Sequence, residues 1–219
     1  MQILIHACPA RMWYVDGFLV PELRRQGAEH IEIWNDTAGK GNLRACMESF
    51  AARQGDGGTW HLQDDVLICR DFVRRAREHD SGVVYGFCCE AFTDDPEMTG
   101  RVPVEDAWHS FQCVRIPDAY ARGCAEWLAG AGRNHPDYPK WIRSGSMDDS
   151  VFRAYLLSEH ERETVENLAP CLVEHVDWII GGSVLHPWRG FLARAEYWED
   201  EELVQELKRA VKGKVQYIT

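Results

Sequence analysis

Through its first ninety residues the chain alternates short β-type runs with stretches of helical apolar spacing, and this order limits the possible folds more than any other feature. Gln2 to Ala7 reads as a strand. Met12 to Gln26 reads as a helix with Trp13, Val15, Phe18, Leu19 and Leu23 on its apolar positions, stopped by Gly27. Pro21 has no N–H to donate, so it is expected to kink this helix or to begin a second short one. Ile31 to Trp34 is the next strand. Asn42 to Arg53, with Leu43, Cys46, Met47 and Phe50 at helical spacing, completes a second unit, with Asn42 as its expected N-cap and Gly55 as its stop. Thr59 to Leu62 is a strand that meets Gln63-Asp64-Asp65 and continues as Val66-Leu67-Ile68, ahead of a basic helix from about Asp71 to His79. Gly82 to Cys89 is almost wholly apolar, as suits an interior strand. Each parallel crossover needs a connection of helical length, so the alternation implies a doubly wound, mostly parallel α/β sheet with helices on both faces.

The second half is less regular. Residues 91 to 107 read as loop, and Ser110 to Ile116 as a strand running into Pro117, a good first position for a helix to about Ala129. Gly130 to Gly145, rich in Gly, Pro and Asn, is expected to be a flexible connection. Ser146 to His160 reads as helix, Cys171 to His175 as a short strand, and Gly181 to Trp188 as loop. A last helix, about Trp198 to Lys212, carries its acids first and its bases last, matching the helix dipole. There is no internal repeat or clear linker, so one domain over residues 1–219 is expected.

Charge narrows the function. With 24 Lys and Arg against 35 Asp and Glu, the net charge is −11, a field that repels phosphate backbones and disfavours generic nucleic-acid binding. No apolar run approaches the roughly 18 to 20 residues of a membrane span, and Met1 to Ala7 lacks a signal-like basic region, so a cytoplasmic chain is expected. The eight cysteines are scattered without a C-x-x-C pair and read as buried thiols. A zinc site from Cys8, Cys88 or Cys89 with a distant histidine lacks the usual ligand spacing.

Seven adjacent acidic pairs occur, close to chance for this composition, so context must select among them. Asp64-Asp65 is set apart because apolar residues flank it on both sides. Carboxylates there would be desolvated at a cost of several kcal/mol unless paired or metal-bound. The pair therefore asks for a cation, and it lies at the C-terminal end of a strand, where open α/β sheets gather ligands. The plainer alternative is a turn between two strands that the aspartates cap.

Here the sequence resembles the GT-A class of nucleotide-sugar glycosyltransferases, in the manner of a small bacterial or bacteriophage member. Trp60-His-Leu-Gln-Asp-Asp-Val66 is similar to the strand that ends in that class's D-x-D or E-D-D metal motif, with Gln63 standing at the first position. Asn35-Asp36 and Gly39-Lys-Gly-Asn-Leu-Arg44 resemble the nucleotide-facing loop and the start of the donor-side helix. Pro170-Cys-Leu-Val-Glu-His175 followed by Gly182-Ser183 is similar to the strand and histidine that close the metal site. The resemblance spans about residues 3 to 190. It implies a Rossmann-like GT-A fold, with residues 1–107 as the nucleotide-sugar and metal half and 108–219 as the acceptor half. The donor is then a nucleoside-diphosphate sugar. The acceptor is a hydroxyl on a saccharide, glycolipid, protein or modified DNA base.

Transfer from such a donor leaves a charged diphosphate, which Mg²⁺ or Mn²⁺ on oxygen ligands would neutralise. Asp65 is the first-choice ligand. Asp64 would orient the metal's waters or the donor, and His175 would favour Mn²⁺ from the opposite side; its alternative is a satisfied histidine at a strand end. His61 reads as a core or supporting group. Arg11, Asn35, Asp36, Lys40, Asn42 and Arg44 either meet the nucleotide or are surface residues. An inverting reaction needs a base, and Asp148 or Asp149 is the candidate, although Ser146-Met-Asp-Asp149 also fits a helix-capping pattern. His186 and Arg189, around Pro187-Trp188, would close over the donor phosphates. The alternatives are a nucleotidyltransferase, for which His6-Ala-Cys-Pro-Ala-Arg11 lacks the expected glycines, or a non-catalytic nucleotide- or metal-binding module.

Overall fold

Ile3, Leu4 and Ile5 are all fully buried, as expected of a strand flanked on both edges and covered on both faces. In the computed structural model, which describes residues 1–87, 99–107, 110–145, 147–181 and 200–212, β1 (Gln2–Ala7) lies parallel between β2 (His30–Asn35) and β3 (Gly58–Gln63). Ala7 stands opposite Asn35 and His6 opposite Gln63, so the three C-terminal strand ends open on one edge of the sheet. Beyond β3 come β7 (Cys113–Pro117), antiparallel to both neighbours, then β5 (Val84–Tyr85), β8 (Thr164–Asn167) and β6 (Gly100–Pro103). Five of the seven strands therefore point the same way. A separate small sheet pairs β4 (Val66–Ile68) antiparallel with β9 (Val173–His175).

Alternation along the strands splits the core into two layers. On one face Ile3, Ile5, Trp60 and Leu62 pack with Tyr14, Leu23, Phe72, Val173 and Leu207. These come from α1 (Met12–Tyr14), α2 (Val20–Arg25), α4 (Phe72–Arg77), β9 and α8 (Glu201–Val211). On the other face Val114 and Ile116 meet α3 (Asn42–Ala51), α5 (Asp118–Ala129) and α7 (Asp148–Glu159) through Phe50, Cys124, Trp127 and Phe152. Each large side chain so buried contributes about 1.5–3 kcal/mol. No helix among the described residues is long and apolar enough to cross a membrane.

Several local expectations are corrected. Of the two expectations for Pro21 the second holds: Val15–Leu19 widens into a π turn, and Pro21 sits in the first turn of the short helix α2, where its missing N–H costs little. Gly41, at φ +87°, and not Asn42, precedes α3 as its N-cap. Val66-Leu67-Ile68 does not continue β3, because the chain turns at Asp64-Asp65 and enters the second sheet. Residues read as loop hold β6, a short edge strand that ends in a proline. The connection after α5 holds α6 (Tyr138–Ser144), whose Pro139 occupies an early position that needs no N–H.

The start of α3 is docked on the α6–α7 connection. Leu43 N–H donates to Gly145 O at 2.9 Å, and a Cβ on Gly41 would stand 3.2 Å from the same oxygen. This close approach carries the start of α7 to the edge where β1, β2 and β3 end.

Candidate functional site

The turn at Asp64-Asp65 follows β3 directly, and its reversal sends β4 to pair with β9, with Val66 opposite His175. Val176 N–H donates to Asp65 O at 2.8 Å, which locks the two segments together. Asp65 and His175, 110 residues apart in sequence, are thereby brought into contact: His175 Nε2 lies 3.2 Å from Asp65 Oδ2. The other ring nitrogen of His175 stands 4.0 Å from Asp177 Oδ1. The Phe87 ring presents its edge to the imidazole.

The cation that the acidic pair calls for is supplied by the chain. Arg11 lies at the end of the tight turn Pro9–Arg11 that follows β1. Its Nη1 donates to Asp64 Oδ1 at 2.8 Å and to Asp65 Oδ2 at 2.5 Å. Asp64 Oδ2 also accepts the Cys8 N–H at 2.7 Å. Arg11, Asp64, Asp65 and His175 are all at least 94% buried, so these charge-assisted bonds are little screened. Burial pushes the Asp64 carboxyl above the usual carboxylate range, outweighing Arg11, with the Asp65 charge adding to the rise. Burial acts the same way on Asp65, but Arg11 and then His175 overcome it and hold that carboxyl well below its ordinary value. Asp65 is thus the stronger acid of the two.

One atom of this cluster is unsatisfied. Asp65 Oδ1 is buried and has no hydrogen-bond partner among the described residues, a state that costs about 1–3 kcal/mol. A carboxylate with one unsatisfied oxygen, its other oxygen 3.2 Å from an imidazole nitrogen, suits a divalent ion taking one oxygen and one nitrogen from the protein and its other ligands from a bound diphosphate. Among the described residues, no group of three or more His, Cys, Asp or Glu side chains is arranged to hold an ion alone. A zinc thiolate at Cys8 is disfavoured, since burial and then Asp64 push that thiol up to about 11.

Around the end of β2, Asn35 is half-buried, and its Oδ1 has no hydrogen-bond partner among the described residues. Asp36 N–H donates to Ala7 O at 2.9 Å, and the Asp36 carboxylate accepts the Lys40 and Gly41 N–H groups at 2.9 and 3.0 Å, which shapes the loop. Lys40 and Arg44 are exposed and both reach Glu48, at 2.6 and 3.3 Å. Asn42 turns the other way, and its Nδ2 donates to Asp148 Oδ1 at 2.9 Å.

Asp148 is buried at the start of α7, and burial, then the neighbouring Asp149, pushes its carboxyl up to about 8. Asp149 is half-exposed. Its Oδ1 accepts the Ser150 N–H at 2.6 Å, so this carboxylate satisfies a first-turn donor of α7, while Met147 at the cap position makes no side-chain bond. An acid whose folded value is raised costs stability above its unfolded value near 4, and the cost is complete once the pH passes the folded value. Asp148→Asn keeps an acceptor for Asn42 and is expected to raise the melting temperature at pH 8.5, where the effect amounts to several kcal/mol at about 1.4 kcal/mol per tenfold change in proton affinity. At pH 4 the two proteins should melt alike. Equal melting at both pH values would show that the Asp148 charge is not buried.

Some neighbours carry no strong sequence signal. His61, read as a core group, stacks on His6 with Nδ1 3.0 Å from His6 Nε2. Burial, then Arg53, lowers His6 to about 4, and burial, then His6, lowers His61 well below its ordinary value, so both rings are neutral at pH 7. Asp177 shows only as an acid two residues past His175. Arg189, His186, Trp188, Gly182 and Ser183 lie outside the described residues, as do Ser146, Cys88 and Cys89.

No protein-family model matches the chain, and no curated protein matches it in sequence. Among solved structures, S. aureus TarS 1-349 superposes with a TM-score of 0.51 at 11% identity, over 82% of this chain and 61% of that one. The chain thus spans less than two thirds of that structure. The inositol-1-phosphate CTP transferase from T. maritima gives a TM-score of 0.46 at 11% identity, over 99% and 98% of the two chains. The apo-form glycosyltransferase GlyE of Streptococcus pneumoniae gives 0.40 at 11%, over 100% and 65%. The TarS likeness bears out the expected fold class: a mixed α/β, GT-A-like sheet, mostly parallel and flanked by helices.

Proposed function

We propose that the chain is a metal-dependent glycosyltransferase that moves a sugar from a nucleoside-diphosphate sugar to a hydroxyl acceptor. The observation that carries this reading is the meeting of Asp65 and His175 at 3.2 Å on the edge where the parallel strands end, with Asp65 Oδ1 left unpartnered among the described residues. Asp65 and His175 would hold Mn²⁺ or Mg²⁺. Such an ion, when bound, neutralises the diphosphate that the donor leaves behind. Both halves of the chain build this end of the site, since β4 pairs with β9. Asn35 would turn its unsatisfied acceptor to the base or ribose, with Asp36 shaping its loop and Lys40, Asn42 and Arg44 at the same helix start. Asp64 positions the Cys8–Arg11 turn.

On the acceptor side, Asp149 is the more accessible of the two carboxylates, and burial raises its proton affinity toward that of a useful base. It would take the hydroxyl proton as the acceptor oxygen attacks. Asp148, tied to Asn42, is the positioning residue beside it. A nucleotidyltransferase is disfavoured because the loop after β1 offers no glycine-rich cradle, and its Cys8 N–H is committed to Asp64.

A thermal-shift screen of nucleoside diphosphates and nucleotide sugars, with and without Mn²⁺, tests the reading. A ligand at about 100 times its dissociation constant adds roughly 2.7 kcal/mol of stability. The expected result is stabilisation by one diphosphate series only when Mn²⁺ is present. If none shifts melting under any metal condition, the glycosyltransferase reading is abandoned.

A further inference from the structure

We propose that Arg11 is an internal competitor of the metal: its guanidinium holds the Asp64-Asp65 pair closed to a divalent ion until it is drawn away by the phosphates of the donor. The inference rests on the metal-dependent reading above and adds a means of control to that site.

One nitrogen, Arg11 Nη1, lies within 2.8 Å of Asp64 Oδ1 and 2.5 Å of Asp65 Oδ2, so it occupies the space between the two carboxylates. His175 reaches the same Oδ2. An ion held by Asp65 and His175 would therefore stand within a few ångströms of the guanidinium, in a buried setting where like charges repel strongly. With Arg11 in place the pair carries one negative charge in excess of its cation. With Arg11 removed it carries two, which is the charge that a divalent ion balances.

The loop geometry allows the exchange. The Cys8–Arg11 turn stays fastened by the Cys8 N–H to Asp64 and by Arg11 N–H to Cys8 O at 3.1 Å, so the side chain can pivot without the backbone leaving. The turn lies at the C-terminal end of β1, where a diphosphate in this sheet would sit. A guanidinium binds phosphate oxygens through paired N–H groups, so the donor offers Arg11 an equivalent anion as it brings metal-binding oxygens of its own. Diphosphate and metal then favour each other, and by linkage each strengthens the other by the same factor.

The test is a titration with Mn²⁺ alone, followed by the loss of the free-ion electron paramagnetic resonance signal. It uses the full chain, Arg11→Gln, Asp64→Asn, the double variant and Asp65→Asn, each checked for folding by circular dichroism. The double variant lowers the acidic charge together with the basic one, and so remains informative where Arg11→Gln does not fold. The expected result is weak binding by the parent, at least tenfold tighter binding by Arg11→Gln than by the parent, and a similar gain for the double variant over Asp64→Asn. Asp65→Asn should bind none. If loss of Arg11 leaves Mn²⁺ affinity unchanged while Asp65→Asn still abolishes it, the competitor role is wrong and the metal site stands. If no protein in the series binds Mn²⁺, both fall.

Discussion

Asp65→Asn is expected to lower metal-dependent sugar transfer by at least about a hundredfold in kcat/KM, while shifting the melting temperature little. The activity loss follows from removing the ionised oxygen that faces His175 and the ion. The stability argument is separate. In the variant, Arg11 keeps its 2.8 Å bond to Asp64, so no buried charge loses its only counter-ion. The buried cluster passes from one excess negative charge to none, which offsets the lost Arg11–Asp65 bond. Steady-state kinetics with Mn²⁺ beside a melting curve checks both parts. A large fall in stability with a proportionate fall in activity would make Asp65 a structural residue instead.

Arg11→Met is expected to act mainly on stability. It leaves two carboxylates buried without their cation, and breaking a buried pair in this way costs about 3–5 kcal/mol. Surface pairs such as Arg25–Glu22 contribute far less, because solvent screens them. The pH dependence identifies the cause. In the parent, Asp65 is held below its ordinary value of 3.8, so its contribution is present above that pH and fades as the pH falls through the folded value. In the variant both carboxyls would be raised, so their cost is complete above the raised values and vanishes below about 4. The gap in unfolding free energy between parent and variant should thus be wider at pH 7 than at pH 4. Chemical denaturation at the two pH values measures it, and an unchanged gap would mean that lost packing dominates.

The strand–helix alternation was legible because β1 buries Ile3, Leu4 and Ile5 across both faces and β3 buries Trp60 and Leu62 on one, patterns that need no partner to be seen. The acidic pair stood out for the same reason, by interrupting such a run. Its partner Arg11 did not, since it follows Pro9 in a short turn and its burial is set by contacts more than fifty residues away in sequence. The contact of Asp65 with His175 has no local signal either. It came from the likeness to a known class, and the β4–β9 pairing supplies its physical basis. β6 and β8 were hidden because short strands near a sheet edge carry little apolar periodicity, and α6 because Pro136, Pro139 and Gly145 read as loop when the helix between them is only seven residues long.

Crystals grown with Mn²⁺ and the nucleoside diphosphate that stabilises the protein, with diffraction recorded at the manganese absorption edge, test the central claim most directly. The predicted result is one anomalous peak at about 2.0–2.6 Å from both an Asp65 carboxylate oxygen and a His175 ring nitrogen, with the Arg11 guanidinium turned onto the phosphates. A diphosphate seated elsewhere, with no peak at Asp65 and Arg11 still bonded to both carboxylates, would contradict it.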